Sequence, residues 1–190
     1  MNGPESLNDA EYWFSAGESE RACANFRQAC LCFERAVSLD ATVAKYWAEL
    51  GLALCETGEM DESLRCLRHA TDLDPKCAEI WCGRGVVAFR LGDVDAALVA
   101  FDRAVRLNPD VADYWMNLGL MFFEVGEFGK AVSAFECGIE INPYDTELWH
   151  QKARSLQKMG EDVRAKHCYE RAGELEMDQV LHDDSKIVGI

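Results

Sequence analysis

An all-α fold of five tandem, antiparallel helix pairs is what the sequence predicts, and three observations predict it. All five tryptophans, Trp13, Trp47, Trp81, Trp115 and Trp149, stand 34 residues apart. Small residues keep the same register: with each tryptophan as position 4 of a unit, position 8 reads Gly17, Gly51, Gly85, Gly119 and Ala153. Helix-stopping residues recur too, with Gly58, Gly92, Gly126 and Gly160 at position 15 and Pro75, Pro109 and Pro143 at position 32. Proline cannot continue a helical hydrogen-bond ladder, and glycine turns the chain back without a Cβ penalty.

The units fall at 10–43, 44–77, 78–111, 112–145 and 146–179 without insertion. Residues 1–9, which include Gly3, Pro4 and Asn8, read as a flexible leader, and Asp9 is a fair N-cap for the first helix. The first unit is irregular, with Ala24 in place of the turn glycine and Ala41 in place of the proline. Within every pair, position 20 (Ala29, Ser63, Ala97, Ala131, Ala165) and position 27 (Ala36, Ala70, Ala104, Gly138, Ala172) are small, so two helices can approach closely. Position 24 (Phe33, Leu67, Phe101, Phe135, Tyr169) fills the seam. Helices of roughly 14 residues, about 21 Å long, are expected.

In the internal units, positions 21 and 28 carry Leu64 and Thr71, Leu98 and Val105, then Val132 and Ile139, all available to meet the next unit. The fifth unit has Lys166 and Gly173 instead, a polar last face that needs no sixth repeat. Residues 180–190, with Val180, Leu181, Ile187, Val188 and Ile190 around a polar run, read as a tail or partial cap.

The W-x2-L-G, A-x3-F, P pattern at a 34-residue period resembles the tetratricopeptide repeat (TPR) and covers 170 of the 190 residues. The resemblance implies a right-handed α-solenoid, a TPR superhelix whose first helices line a concave face. It also implies a non-enzymatic scaffold or adaptor that binds another protein. On the face so implied, at positions 2, 5, 6, 9, 12 and 13, the candidate peptide-binding groove has an apolar floor of Leu52, Cys55, Cys82, Val86, Phe89, Met116, Leu120 and Phe123. Asn117 joins it, and the fifth unit adds a polar end of His150, Gln151, Arg154 and Lys158. An amphipathic helix or extended apolar peptide anchored on Phe89, Leu120 and Phe123, with an acidic end, is the expected ligand.

Two recognition devices of the family are not matched. The carboxylate clamp for acidic chaperone tails needs basic residues where Glu79 and Gly83, or Asp113 and Asn117, stand. An asparagine ladder at position 6 would run through Ser15, Glu49, Gly83, Asn117 and Gln151, of which one matches. Structural self-assembly of arrays, or service as the regulatory subunit of an enzyme complex, is the alternative to peptide capture.

Composition narrows the partners. The net charge is −15, from 34 acidic and 19 basic residues, which repels phosphate backbones and anionic lipid. Neither nucleic acid nor membrane is therefore an expected partner. No apolar run approaches 18 residues and no leader of the secretory type opens the chain, so a cytoplasmic location is expected.

Nine cysteines invite a metal or disulfide reading, which their spacing does not support. There is no C-x2-C, and the closest pair, Cys30 and Cys32, would point about 200° apart on a helix. Cys32, Cys66 and Cys168 share position 23 with Ala100 and Ala134, as small packing residues. Cys137, in register with Arg35, His69, Arg103 and Arg171, is expected to be exposed and the first thiol alkylated. His69, His150, His167 and His182 share no register, and no nucleophile elbow, phosphate loop or zinc-protease motif occurs. No metal, cofactor or catalytic residue is expected.

Overall fold

The computed structural model describes residues 9–187, with side chains through residue 178. Among the described residues the chain is all helical, with ten helices in tandem pairs and no strand. It divides into two compact units between Leu107 and Asn108. Residues 1–8 of the expected leader lie outside the described residues.

The first unit contains α1 (Ala10–Ala22), α2 (Phe26–Leu39), α3 (Ala44–Thr57), α4 (Met60–Leu73), α5 (Ala78–Arg90) and α6 (Val94–Leu107). Asp9 caps α1 by accepting a hydrogen bond from the Glu11 amide at 3.0 Å. Each helix pair reverses through a left-handed residue, with φ of 59° at Ala24, 92° at Gly58 and 79° at Gly92. The residue after each of them donates its amide to a carbonyl five positions back, Asn25 to Glu20, Glu59 to Leu54 and Asp93 to Ala88, at 2.9 Å each. This closure satisfies carbonyls that the helix end would otherwise leave orphaned.

Inside each pair the seam is a glycine facing a large side chain. A Cβ on Gly17 would sit 2.5 Å from Phe33, one on Gly51 2.7 Å from Leu67, and one on Gly85 2.7 Å from Phe101. Phe33 and Leu67 are wholly buried, and so are Ala29, Ser63 and Ala97 at position 20. Ser63 hides its hydroxyl by donating to the Gly51 carbonyl. Consecutive pairs are joined by a second device. Trp47 Nε1 donates to the Ala41 carbonyl at 2.9 Å, and Trp81 Nε1 to the Pro75 carbonyl at 3.0 Å. Just before these carbonyls, Asp40 and Asp74 accept the amides of Thr42 and Lys76 at 2.9 and 3.1 Å, turning the chain into the next helix.

The second unit contains α7 (Ala112–Glu124), α8 (Phe128–Ile141), α9 (Thr146–Lys158) and α10 (Asp162–Ile187). The same parts recur. Gly126 and Gly160 turn at φ of 81° and 78°. A Cβ on Gly119 would lie 2.5 Å from Phe135. Trp115 and Trp149 donate to the Pro109 and Pro143 carbonyls at 2.7 and 3.0 Å. Val132 and Ile139, at positions 21 and 28, are buried, the first with Ala153, Leu156, Ala165 and Cys168 and the second with Leu148. Lys166, at position 21 of the fifth unit, is exposed. The α10 helix runs 26 residues, well beyond the length expected of a repeat helix, and the backbone of residues 180–187 continues it.

Cys137 departs from its sequence-based expectation. It is half-buried, whereas Cys23, at the C-cap of α1, is exposed. The reason is the step from arginine or histidine to cysteine at this register: a short thiol stays down in a surface hollow that Trp115 and Leu118 also line, where a longer polar side chain would reach out.

Candidate functional site

Each unit presents a face built from its first helices. In the first unit this face is carried by α3 and α5, and the small residues at positions 8 and 20 decide its direction. They fix which side of each helix meets its pair mate and leave the other side as the face, although at position 6 that side is itself closed over, with Glu49 and Gly83 buried. Leu52, Cys82 and Val86 are half-buried there, and Phe89 is 43% exposed. Cys55 is different. It is 3% exposed, with its sulfur 3.3 Å from Arg90 Nη1 and 3.8 Å from Met60 Sδ, so it contributes packing more than open surface. Arg90 in turn holds Glu56 at 2.8 Å.

Between α3 and α5 a cavity of about 190 Å³ opens, lined by Ala44, Ala48, Leu52, Leu67, Cys77, Ile80 and Gly83, with Lys45, Glu49, Asp74 and Glu79 as its charged residues. Glu49 is 8% exposed. Burial, set against the nearby Arg21 charge, holds its carboxyl above the ordinary carboxylate value. The position-6 row singles Glu49 out only as a missing asparagine. Its burial is a consequence of α1 and α5 closing over α3, which no spacing within one helix reveals.

In the second unit the face is carried by α7 and α9. Met116, Asn117, Leu120 and Phe123 are half-buried on α7, while Arg154 and Lys158 are exposed on α9. The Arg154 guanidinium carbon lies 5.0 Å from the Phe123 ring centroid, in cation–π range, and the Phe128 ring meets the same phenylalanine edge-on at 5.3 Å. Arg154 is held there by its own helix. Gln151, 8% exposed, accepts from Arg154 Nη1 at 2.8 Å and donates to Glu147. Gln151 therefore reads as a strut for Arg154, engaged on both ends. His150 is half-buried, 3.1 Å from Glu176 on α10 and tilted against the Tyr169 ring. The apolar floor and the polar end expected in this unit thus meet where Arg154 lies over Phe123.

The thiols offer no nucleophile in the interior. Burial pushes Cys30, Cys32, Cys55 and Cys168 upward, and Cys66 to about 11, so these sulfurs stay protonated at neutral pH. None of the nine cysteines is in a disulfide. Among the described residues no group of three or more His, Cys, Asp or Glu side chains is placed to hold a metal ion, and no helix is long and apolar enough to cross a membrane.

Comparison with known proteins supports the repeat assignment. A solved structure of MamA superposes with a TM-score of 0.80 at 25% identity, covering 86% of this chain and 96% of that one. Another, of YrrB, described as a TPR protein with an unusual peptide-binding site, superposes with a TM-score of 0.75 at 18% identity, covering 96% of this chain and 94% of that one. Among curated proteins, no sequence matches significantly. The model of one TPR family matches residues 2–182, nearly the whole chain, and by that match the protein belongs to the cilia and flagella-associated protein 70 C-terminal domain family.

Proposed function

We propose that this chain is a non-enzymatic scaffold that captures a peptide or amphipathic helix of another protein on its first-helix face. The observation that carries the reading is the Phe123 ring, half-buried on α7 with Arg154 stacked over it. A partly covered aromatic ring beside Met116 and Leu120, with a guanidinium at its edge, suits an aliphatic anchor followed by a carboxylate. The arginine keeps hydrogen-bond donors free while its flat face rests on the ring. A peptide-binding site is also named for YrrB, whose fold this chain shares. Val86 and Phe89 form a second apolar patch in the first unit, available to the same class of ligand. The family name associates its namesake with cilia and flagella, so the partner we envisage is another protein of such an assembly. A cytoplasmic setting, that of a cilium or flagellum included, suits thiols that form no disulfide. With an excess of acidic charge, nucleic acid and anionic membrane are poor competitors for the face.

The test is affinity for a partner recovered from the native host. Burying one apolar anchor contributes roughly 1.5–3 kcal/mol, so Phe123→Glu should weaken the complex about tenfold or more. Helical content should stay native, because the ring is only half-buried. Arg154→Ala should weaken binding mainly at low salt. A Phe123→Glu variant that folds and binds like the parent would move the interface off this face.

A further inference from the structure

The cavity between α3 and α5 combines features that an apolar peptide does not explain. Its walls are aliphatic, yet its charged residues are three carboxylates, Glu49, Asp74 and Glu79, and one cation, Lys45. That cation is already engaged: Lys45 Nζ is 3.1 Å from Glu18 and 4.4 Å from the centre of the Phe14 ring. Glu49 lies in the wall with 8% of its surface exposed, and its Oε2 is buried without a hydrogen-bond partner. Arg21 Nε lies 3.1 Å from that oxygen, which gives charge attraction without an aligned N–H. A carboxylate enclosed with only an unaligned cation beside it is costly, and a second cation brought into the cavity that Glu49 lines offsets part of that cost through its charge.

Space opens beside it because position 6 of α5 is glycine. A Cβ on Gly83 would meet Leu52 at 3.1 Å and Leu67 at 3.6 Å, so any larger residue would grow into the cavity. At about 190 Å³ the space equals roughly six waters and falls below the usual range for a whole small-molecule ligand. It fits one side chain with an aliphatic stem and a cationic head. The stem lies on Ala48, Leu52 and Ile80, and the head reaches a carboxylate.

We propose that this cavity is a pocket for a lysine side chain of the bound peptide, with Glu49 as the acceptor of its ammonium group. The pocket rests on the peptide-binding reading above and adds a basic anchor to its ligand. Glu79, exposed at the rim, steers the cation in, and the net charge of −15 acts in the same direction.

The probe is Nα-acetyl-lysine N-methylamide, titrated to millimolar concentration into the isotopically labelled chain while backbone amide shifts are followed. Saturable shifts at Ala48, Leu52 and Gly83 are expected. They should be absent with Nα-acetyl-norleucine N-methylamide, which has the stem without the charge. Glu49→Gln should weaken the lysine probe at least fivefold, and Arg21→Ala, which removes the competing cation, should tighten it about twofold or more. Equal response to norleucine, no saturation, or undiminished affinity in Glu49→Gln would each overturn the pocket. The probe needs no partner protein, so its failure leaves the Phe123→Glu result standing, and a failure at Phe123 leaves the pocket standing.

Discussion

Ala24 performs with an ordinary side chain the turn that four glycines perform elsewhere. Its φ of 59° costs a non-glycine residue about 1–2 kcal/mol. Replacement by glycine removes that strain, while the extra freedom of the unfolded chain takes back about 0.4–1 kcal/mol. Ala24→Gly should therefore stabilise the protein by about 1 kcal/mol, read as a higher urea midpoint at unchanged slope. Two other glycines separate backbone strain from crowding. At Gly126, with φ of 81° and nothing within 4 Å of a built Cβ, Gly126→Ala should cost about 1 kcal/mol, the strain less the freedom the unfolded chain loses, with no crowding. At Gly119 the backbone is helical and the obstacle is Phe135 at 2.5 Å, so Gly119→Ala should cost about 1–3 kcal/mol through overpacking. Pairing it with Phe135→Leu should relieve the second variant and not the first. Glu49 sets a pH dependence. Its folded carboxyl is raised above its ordinary 4.5, mainly by burial, so the folded state holds this proton more tightly than the unfolded chain does. The stability it lends is present below pH 4.5 and is lost as pH rises through the raised value. Glu49→Gln should accordingly stabilise the chain at pH 7 and match the parent near pH 4, in paired thermal melts. A stabilisation that persists unchanged at pH 4 would show that the charge is not its source.

At the scale of elements, a helix pair is made by its seam and joined to the next by its tryptophan. The indole keeps the joint by donating to the carbonyl six residues earlier, whether that residue is Ala41 or a proline. This explains why the first joint tolerates alanine: the acceptor belongs to the backbone. Trp115→Phe keeps an aromatic ring but deletes the pyrrole and its 2.7 Å bond to Pro109, so a loss of at least about 0.5–1.5 kcal/mol, with lost packing added, is expected. Pro109→Ala, which keeps the carbonyl, should leave that bond in place, and crosslinking it to Trp115→Phe in a double-mutant cycle should show little coupling. Most of this architecture was legible beforehand, because the tryptophan, glycine and proline registers are local chemistry repeated at one period. The aspartates and asparagines at position 31, Asp40, Asp74, Asn108 and Asn142, are equally regular. Each accepts the amide two residues on, and an acidic or amide residue just before an alanine or proline was the available signal.

For the whole molecule, nine thiols outside any disulfide, in a fold closed by apolar seams, imply that stability comes from packing. Thermal unfolding should be indifferent to chelator and to reductant. A midpoint lowered by many degrees with either would show a metal or a bridge holding the chain. Alkylation should proceed in the order of exposure, Cys23 first, Cys77, Cys82 and Cys137 more slowly, and Cys30, Cys32, Cys55, Cys66 and Cys168 only on unfolding. Peptide mass spectrometry over a time course reads this order, and early labelling of Cys66 would contradict its burial. Helix pairs and turn positions were determined by the sequence alone, because each depends on which residues fall three, four or 34 positions apart. Tertiary packing decided the rest. It withdrew Cys55 into a contact with Arg90, made Gln151 a strut for Arg154, laid Cys137 half under cover, and enclosed Glu49 between helices beside the space that Gly83 leaves open. Burial of a side chain is set by neighbours distant in the chain, and the cost of an enclosed charge or the room left by a missing Cβ exists only once those neighbours are in place.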